Sequence, residues 1–256
     1  MADLFTISDN KTIKYNARQV LRDSRPRPVL VTIVFLAVII LFMILRVSLS
    51  GMLDRSVLQQ YYEYANEGNL AQAVEYLYSI EPSGINSIII YAIELVLYVL
   101  TAGYIIFMMN SVRRTEPTVY NLLDGFGQFL RVIIISLLKA IIVSLLSLLL
   151  FIPGIIATYT YRFAIFNLLD NPKMRIIDAM SLSRIMMKGH KLELFKLDLS
   201  FIGYILLSVF FPPVLIYLMP YMYSSWVIFY DELRNAEFPH GDLLDNGPDH
   251  FNSDDD

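Results

Sequence analysis

Between Val29 and Leu45 only Thr32 is polar, and adding Val47 to Leu49 brings the run to the roughly 20 residues that cross a ~30 Å hydrocarbon core as a helix. Lipid offers no hydrogen bonds, so a spanning backbone must satisfy its own amides, which a helix does. Five further runs follow at 85–109, 132–152, 155–169, 197–211 and 214–230. The fourth is short, about 22 Å by helix rise. With 56% hydrophobic and 17% charged residues, the chain is too apolar to cover itself for water. The expected fold is all-α: a polytopic helical membrane domain over residues 1–234 with six transmembrane helices, followed by an acidic, aperiodic tail at 235–256.

That tail holds seven acids and no Lys or Arg, so the net charge of −4 conceals +3 on residues 1–234. Lys and Arg accumulate in cytoplasmic loops. With the N-terminus inside, sixteen cations lie on the inner side and two, Arg46 and Arg55, on the outer. Both termini are therefore expected in the cytoplasm. The first 28 residues are mostly polar, so no removable signal peptide is expected.

Three polar segments carry helical periodicity. Residues 8–25 place Ile13, Ala17, Val20 and Leu21 on one side and Lys14, Arg18 and Arg22 beside or opposite them, as suits an anionic leaflet. Residues 51–84 read as an extracellular helical hairpin, with Gly68 ending its first helix and Asn69 capping its second. Residues 172–188 read as a cytoplasmic helix with Asn171 as N-cap, Pro172 at its first position and Gly189 as its stop. Lys173, Arg184, Lys188 and Lys191 flank that helix and complete a basic cytoplasmic face.

Ionisable groups at a bilayer centre cost roughly 2.5–3.5 kcal/mol, so they seek partners. Glu94 and Arg162 lie at similar depth from the outer side, about 13 and 10 Å in by helix rise, and are expected to pair. Tyr91, Glu94 and Tyr98 form a stripe expected to face the same interior, whereas Lys139, about 10 Å from the inner boundary, can snorkel. Together these five make a candidate intramembrane polar cluster.

Catalytic spacings such as HExxH, GxSxG or a Walker loop are absent, Asp124-Gly125-Phe126-Gly127 lacks a third glycine, and there is no cysteine. No metal, no cofactor and no nucleic-acid partner is expected, and the chain reads as a non-enzyme. The motifs Ile152 to Ile156, Tyr161, Leu168 to Pro172 (LLDNP), Asp178 to Lys191, Leu194 to Gly203, and Pro220-Tyr221 with Phe229 to Leu233 (FYDEL) resemble the bacterial domain-of-unknown-function 975 integral membrane family. That family is common in Firmicutes and distantly similar to the membrane domain of glycerophosphodiester phosphodiesterases. One departure is Tyr204, where the family usually carries Trp. The resemblance implies a multi-pass plasma-membrane protein and supplies no reaction.

The reading that follows is an accessory or interaction protein whose basic face meets anionic inner-leaflet lipid or a membrane-protein partner. A small transporter with a midplane site at Glu94, Arg162, Tyr91 and Tyr98 is the alternative. A lipid-active enzyme rests on the phosphodiesterase likeness alone.

Overall fold

The computed structural model describes residues 7–237; the acidic residues 238–256 lie outside them. Among the described residues, all regular structure is helical. In chain order the helices begin with α1 (Asn10–Asp23), α2 (Pro28–Leu49), α3 (Arg55–Asn66), α4 (Leu70–Ser79) and α5 (Gly84–Arg113). Next come α6 (Asn121–Asp124), α7 (Phe129–Leu149), α8 (Phe151–Thr160) and α9 (Ala164–Asp170). The last are α10 (Ile176–Met186), α11 (Lys191–Leu199), α12 (Ile202–Phe210) and α13 (Leu215–Glu237). Three helical runs are long and apolar enough to cross a membrane: Pro28–Leu49, Gly84–Arg113 and Asn121–Leu148. They correspond to the first three expected spans.

The chain divides into two compact units, residues 34–98 and the residues on either side of them. Within 34–98 the expected hairpin is present as α3 and α4. Gly68 turns it with φ +80°, a left-handed conformation that glycine adopts without a Cβ penalty. Tyr64 meets Tyr76 edge-on at 5.9 Å. Asn69 precedes α4, but its side chain makes no capping bond. Asn86 Nδ2 donates to Leu49 O at 3.1 Å, tying the start of α5 to the end of α2.

In the other unit, α13 is the common support. Its buried residues Tyr221, Ser224, Ser225, Val227, Phe229 and Tyr230 point in several directions around the helix, as a helix enclosed by neighbours requires. The amphipathic α1 lays Ile13, Ala17 and Leu21 against it, all buried, with roughly 1.5–3 kcal/mol available from each large aliphatic. The face expected to dip into lipid is thus covered by protein.

Two expected spans are interrupted, and in each the released carbonyl finds a new donor. Residues 155–169 break at Tyr161–Phe163 between α8 and α9, where Ser183 Oγ donates to Thr160 O at 2.9 Å. Residues 197–211 break at Ser200–Phe201, where Lys14 Nζ donates to Ser200 O at 3.1 Å. Such donors remove the cost of a buried unpaired carbonyl. The helix expected from Pro172 starts instead at Ile176, with Arg175 in the N-cap position. Residues 171–175 form a turn because the Arg131 guanidinium takes the carbonyls of Pro172 and Met174 out of helical use. Gly189 sits at φ +91° just beyond α10, as a helix stop should. Pro153 and Gly154 lie in the first turn of α8 rather than in a turn before it, a place where proline costs little.

Asp124-Gly125-Phe126-Gly127 serves packing. A Cβ on Gly125 would meet the Val99 carbonyl of α5, and one on Gly103 would meet the Leu122 carbonyl, so each glycine lets backbone approach backbone. A Cβ on Gly127 would meet nothing within 4 Å. Gly125→Ala should therefore lower stability by about 1–3 kcal/mol in a detergent unfolding series, with Gly127→Ala within about 0.5 kcal/mol of wild type. Equal effects would show that the α5 approach does not hold the loop.

Candidate functional site

Four charged side chains and a tyrosine meet where α5, α9 and α13 end. Arg113 Nη1 donates to Asp170 Oδ1 at 2.5 Å and Nη2 to Oδ2 at 3.2 Å. The same guanidinium reaches Asp231 through Nη2 at 2.6 Å and Nε at 3.1 Å. Arg234 closes on Asp170, and Tyr230 OH donates to Asp170 Oδ2 at 3.2 Å. Two carboxylates against two guanidiniums leave no formal charge. Asp170 is only 10% exposed, so each pairing is desolvated and charge-assisted. Among the described residues Asp170 is the carboxylate with the most side-chain partners. Nothing local in the sequence joined it to Arg113, because the two are 57 residues apart.

One helical turn or so further along α13 lies a second cluster. Arg162, in the link between α8 and α9, stacks its guanidinium 4.1 Å from the centroid of Trp226. Trp226 Nε1 donates to Asp198 Oδ1 at 2.7 Å, and Tyr159 OH donates to Asp198 Oδ2 at 3.1 Å. Tyr223 packs edge-on to Trp226 at 4.9 Å and to Tyr104 at 5.0 Å, whose hydroxyl meets Thr32 at 2.7 Å. Lys139 projects from the α7 stripe that also carries Ile135 and Ile142, both packed toward α9. That face packs against Tyr161 and Ala164, on either side of Arg162.

Glu94 and Arg162, expected as partners, each have another one. Glu94 faces Arg46 at 3.4 Å, with both side chains substantially exposed, and Arg162 has Trp226. Tyr91 and Tyr98, expected to look inward, are 66% and 58% exposed, while Ile90 and Ile93 of the same helix are buried. Depth along a helix can be counted from sequence; rotation about its axis cannot, and here the aliphatic face turned inward.

The basic face divides in two. Lys14 donates to Ser200 O and Oγ and lies 4.5 Å over Phe201. Arg18 Nε donates to Tyr221 OH at 3.0 Å and sits over that ring. Both are clamps of α1 rather than free surface charges. Burial lowers the Lys14 ammonium from its ordinary value, and the nearby Arg18 charge adds to this. Arg22, Lys173, Arg184 and Lys188 are exposed, Lys191 is half-buried, and none has an ion-pair partner among the described residues. No group of three or more His, Asp or Glu among the described residues could hold a metal ion.

Ile44, Leu148, Val209 and Phe210 stand outward at 61 to 87% exposure, an arrangement suited to lipid. With three helices able to span, and all regular structure among the described residues helical, the chain is a helical membrane protein. Residues 147–237, about a third of the chain, match the family described as protein of unknown function (DUF975). No curated protein and no solved structure matches. The matched segment contains Arg162, Asp170, Asp198, Trp226, Asp231 and Arg234; Lys139 and Arg113 precede it.

Burial holds the Asp231 carboxyl above its ordinary value of 3.8, outweighing the opposing Arg113. A carboxyl with a raised folded value binds its proton more tightly folded than unfolded. From this group, stability should fall as pH rises from 3.8 to that raised value and then level off. Subtracting the Asp231→Asn unfolding profile from the wild-type one should expose that downward slope; a difference rising with pH would contradict it.

Proposed function

We propose that the chain is a six-span accessory protein of the plasma membrane with both termini cytoplasmic, whose exposed cations gather anionic inner-leaflet phospholipid. Spans four, five and six would be residues 155–169, 197–211 and 214–230, carried largely by α8–α9, α11–α12 and the first part of α13. The observation that carries the lipid reading is the set of unpaired cations around α10. Ile177, Ser181, Arg184 and Lys188 recur at helical spacing and are all exposed, with Arg22, Lys173 and Lys191 also unpaired. Each cation near an anionic surface contributes on the order of 1 kcal/mol. The alternative of a midplane transport site needed Glu94, Tyr91, Tyr98 and Arg162 to converge, and no observation favours that.

The test is the lipid shell retained by the full chain in native nanodiscs. Replacing Arg22, Lys173, Arg184, Lys188 and Lys191 with Gln should bring the ratio of anionic to zwitterionic lipid down to that of the bulk, and salt should weaken the wild-type excess. Single cysteines at Ser181 and Ser56, in a chain that has none, should react from opposite sides of the same preparation. An unchanged lipid ratio, or both cysteines reacting from one side, overturns the reading.

A further inference from the structure

Among the described residues, each arginine partly shielded from solvent has a hydrogen-bond acceptor, with one exception. Arg113 holds two carboxylates, Arg234 holds Asp170, and Arg131 holds the Pro172 and Met174 carbonyls together with Gln128 Oε1. Arg162 is the exception: its face is stacked on Trp226, and its N–H groups have no acceptor among the described residues. Stacking uses the flat face of a guanidinium and leaves its in-plane donors open. Lys139 lies on the α7 face, between Ile135 and Ile142, that packs against Tyr161 and Ala164 on either side of Arg162, and it has no acceptor among the described residues either. Among the described residues Asp198 is the carboxylate bound to this cluster, and its two oxygens accept from Tyr159 OH and Trp226 Nε1. Two cations thus face one anion that neither of them touches. Neither cation nitrogen is among the side-chain atoms sealed from solvent without a partner.

We infer that Arg162 and Lys139 form a binding site for a phosphate-bearing anion, with a phospholipid phosphodiester as its occupant. One negative charge balances the excess, and non-bridging oxygens offer acceptors to both cations at once. α8, which packs on α7, presents Ile155 and Ile156 outward, apolar surface along which acyl chains can lie. α9 (Ala164–Asp170) puts about 9 Å of helix between the link that carries Arg162 and Asp170, so the phosphate would sit deeper than the ring of surface cations. The site therefore goes beyond the surface reading and does not depend on it.

Trp226 is the chain's one tryptophan and the platform for Arg162, so its fluorescence reports the site directly. The full chain in neutral detergent is titrated with dihexanoyl phosphatidylglycerol, with inorganic phosphate and with dihexanoylglycerol. A saturable change with phosphatidylglycerol, none with the uncharged dihexanoylglycerol, and an apparent Kd raised about tenfold or more in Lys139→Gln but restored in Lys139→Arg is the expected result. A response to phosphatidylglycerol alone assigns the site to lipid, and an equal response to inorganic phosphate assigns it to the free anion. No saturable change with either phosphate probe, an equal response to dihexanoylglycerol, or an unchanged Kd in Lys139→Gln overturns the site. The wild-type arms can overturn it even if the variants fail to fold. With the five surface cations replaced by Gln the titration should persist, which separates failure of this site from failure of the surface reading.

Discussion

Arg113 holds Asp170 and Asp231 at once, and the assembly of the larger unit follows from that grip. A guanidinium offers five donors in one plane, enough to bridge two carboxylates that an ammonium could meet only as a point charge. By doing so it joins the ends of α5, α9 and α13. Arg234 and Tyr230 complete the shell of Asp170, so two acids largely shielded from solvent are neutralised by side chains. Removing any one charge would leave another uncompensated in a low-dielectric place, which costs far more than the intact set contributes. That makes the network a device for fixing three helix ends in register.

Once α13 is fixed, it organises both the clamp of α1 and the aromatic cluster. Lys14 and Arg18 reach from α1 to the Ser200–Phe201 break and to Tyr221, so the same lysine that stacks on an aromatic ring also satisfies the carbonyl released by that break. Further along α13, Tyr223 and Trp226 connect Thr32 and Tyr104 on one side with Asp198 and Arg162 on the other. Arg162 and Lys139 are left with charge to spare, in contrast to the balanced network at the helix ends. Balanced groups hold structure; unbalanced ones are where a ligand gains most.

Much of the fold was legible in the sequence. The limits of α1 follow from its apolar stripe, and Gly68 and the stripes on either side define α3 and α4, because a short periodic helix with a breaker carries its own signal. The first three spans were equally plain from uninterrupted apolarity. The breaks at Tyr161–Phe163 and Ser200–Phe201 were not, since their carbonyls are satisfied by Ser183 and Lys14, residues remote in the chain. Helix rotation was also hidden: counting depth along the chain led to the expected Glu94–Arg162 pair, yet Glu94 meets Arg46 and Arg162 meets Trp226. The motifs LLDNP and FYDEL did mark the right places. Asp170, Tyr230 and Asp231 come from them, although Arg113, which joins them, stood out only as one cation among sixteen on the inner side.

The claim that this charge network sets the register of α5, α9 and α13 is tested most directly by a double-mutant cycle on Arg113 and Asp170, read from denaturant unfolding of the full chain in mixed micelles. Arg113→Ala and Asp170→Ala should each cost about 3–5 kcal/mol, since each strands a buried charge. The double variant should cost less than their sum by about 2 kcal/mol or more. Two small and additive effects would contradict the account.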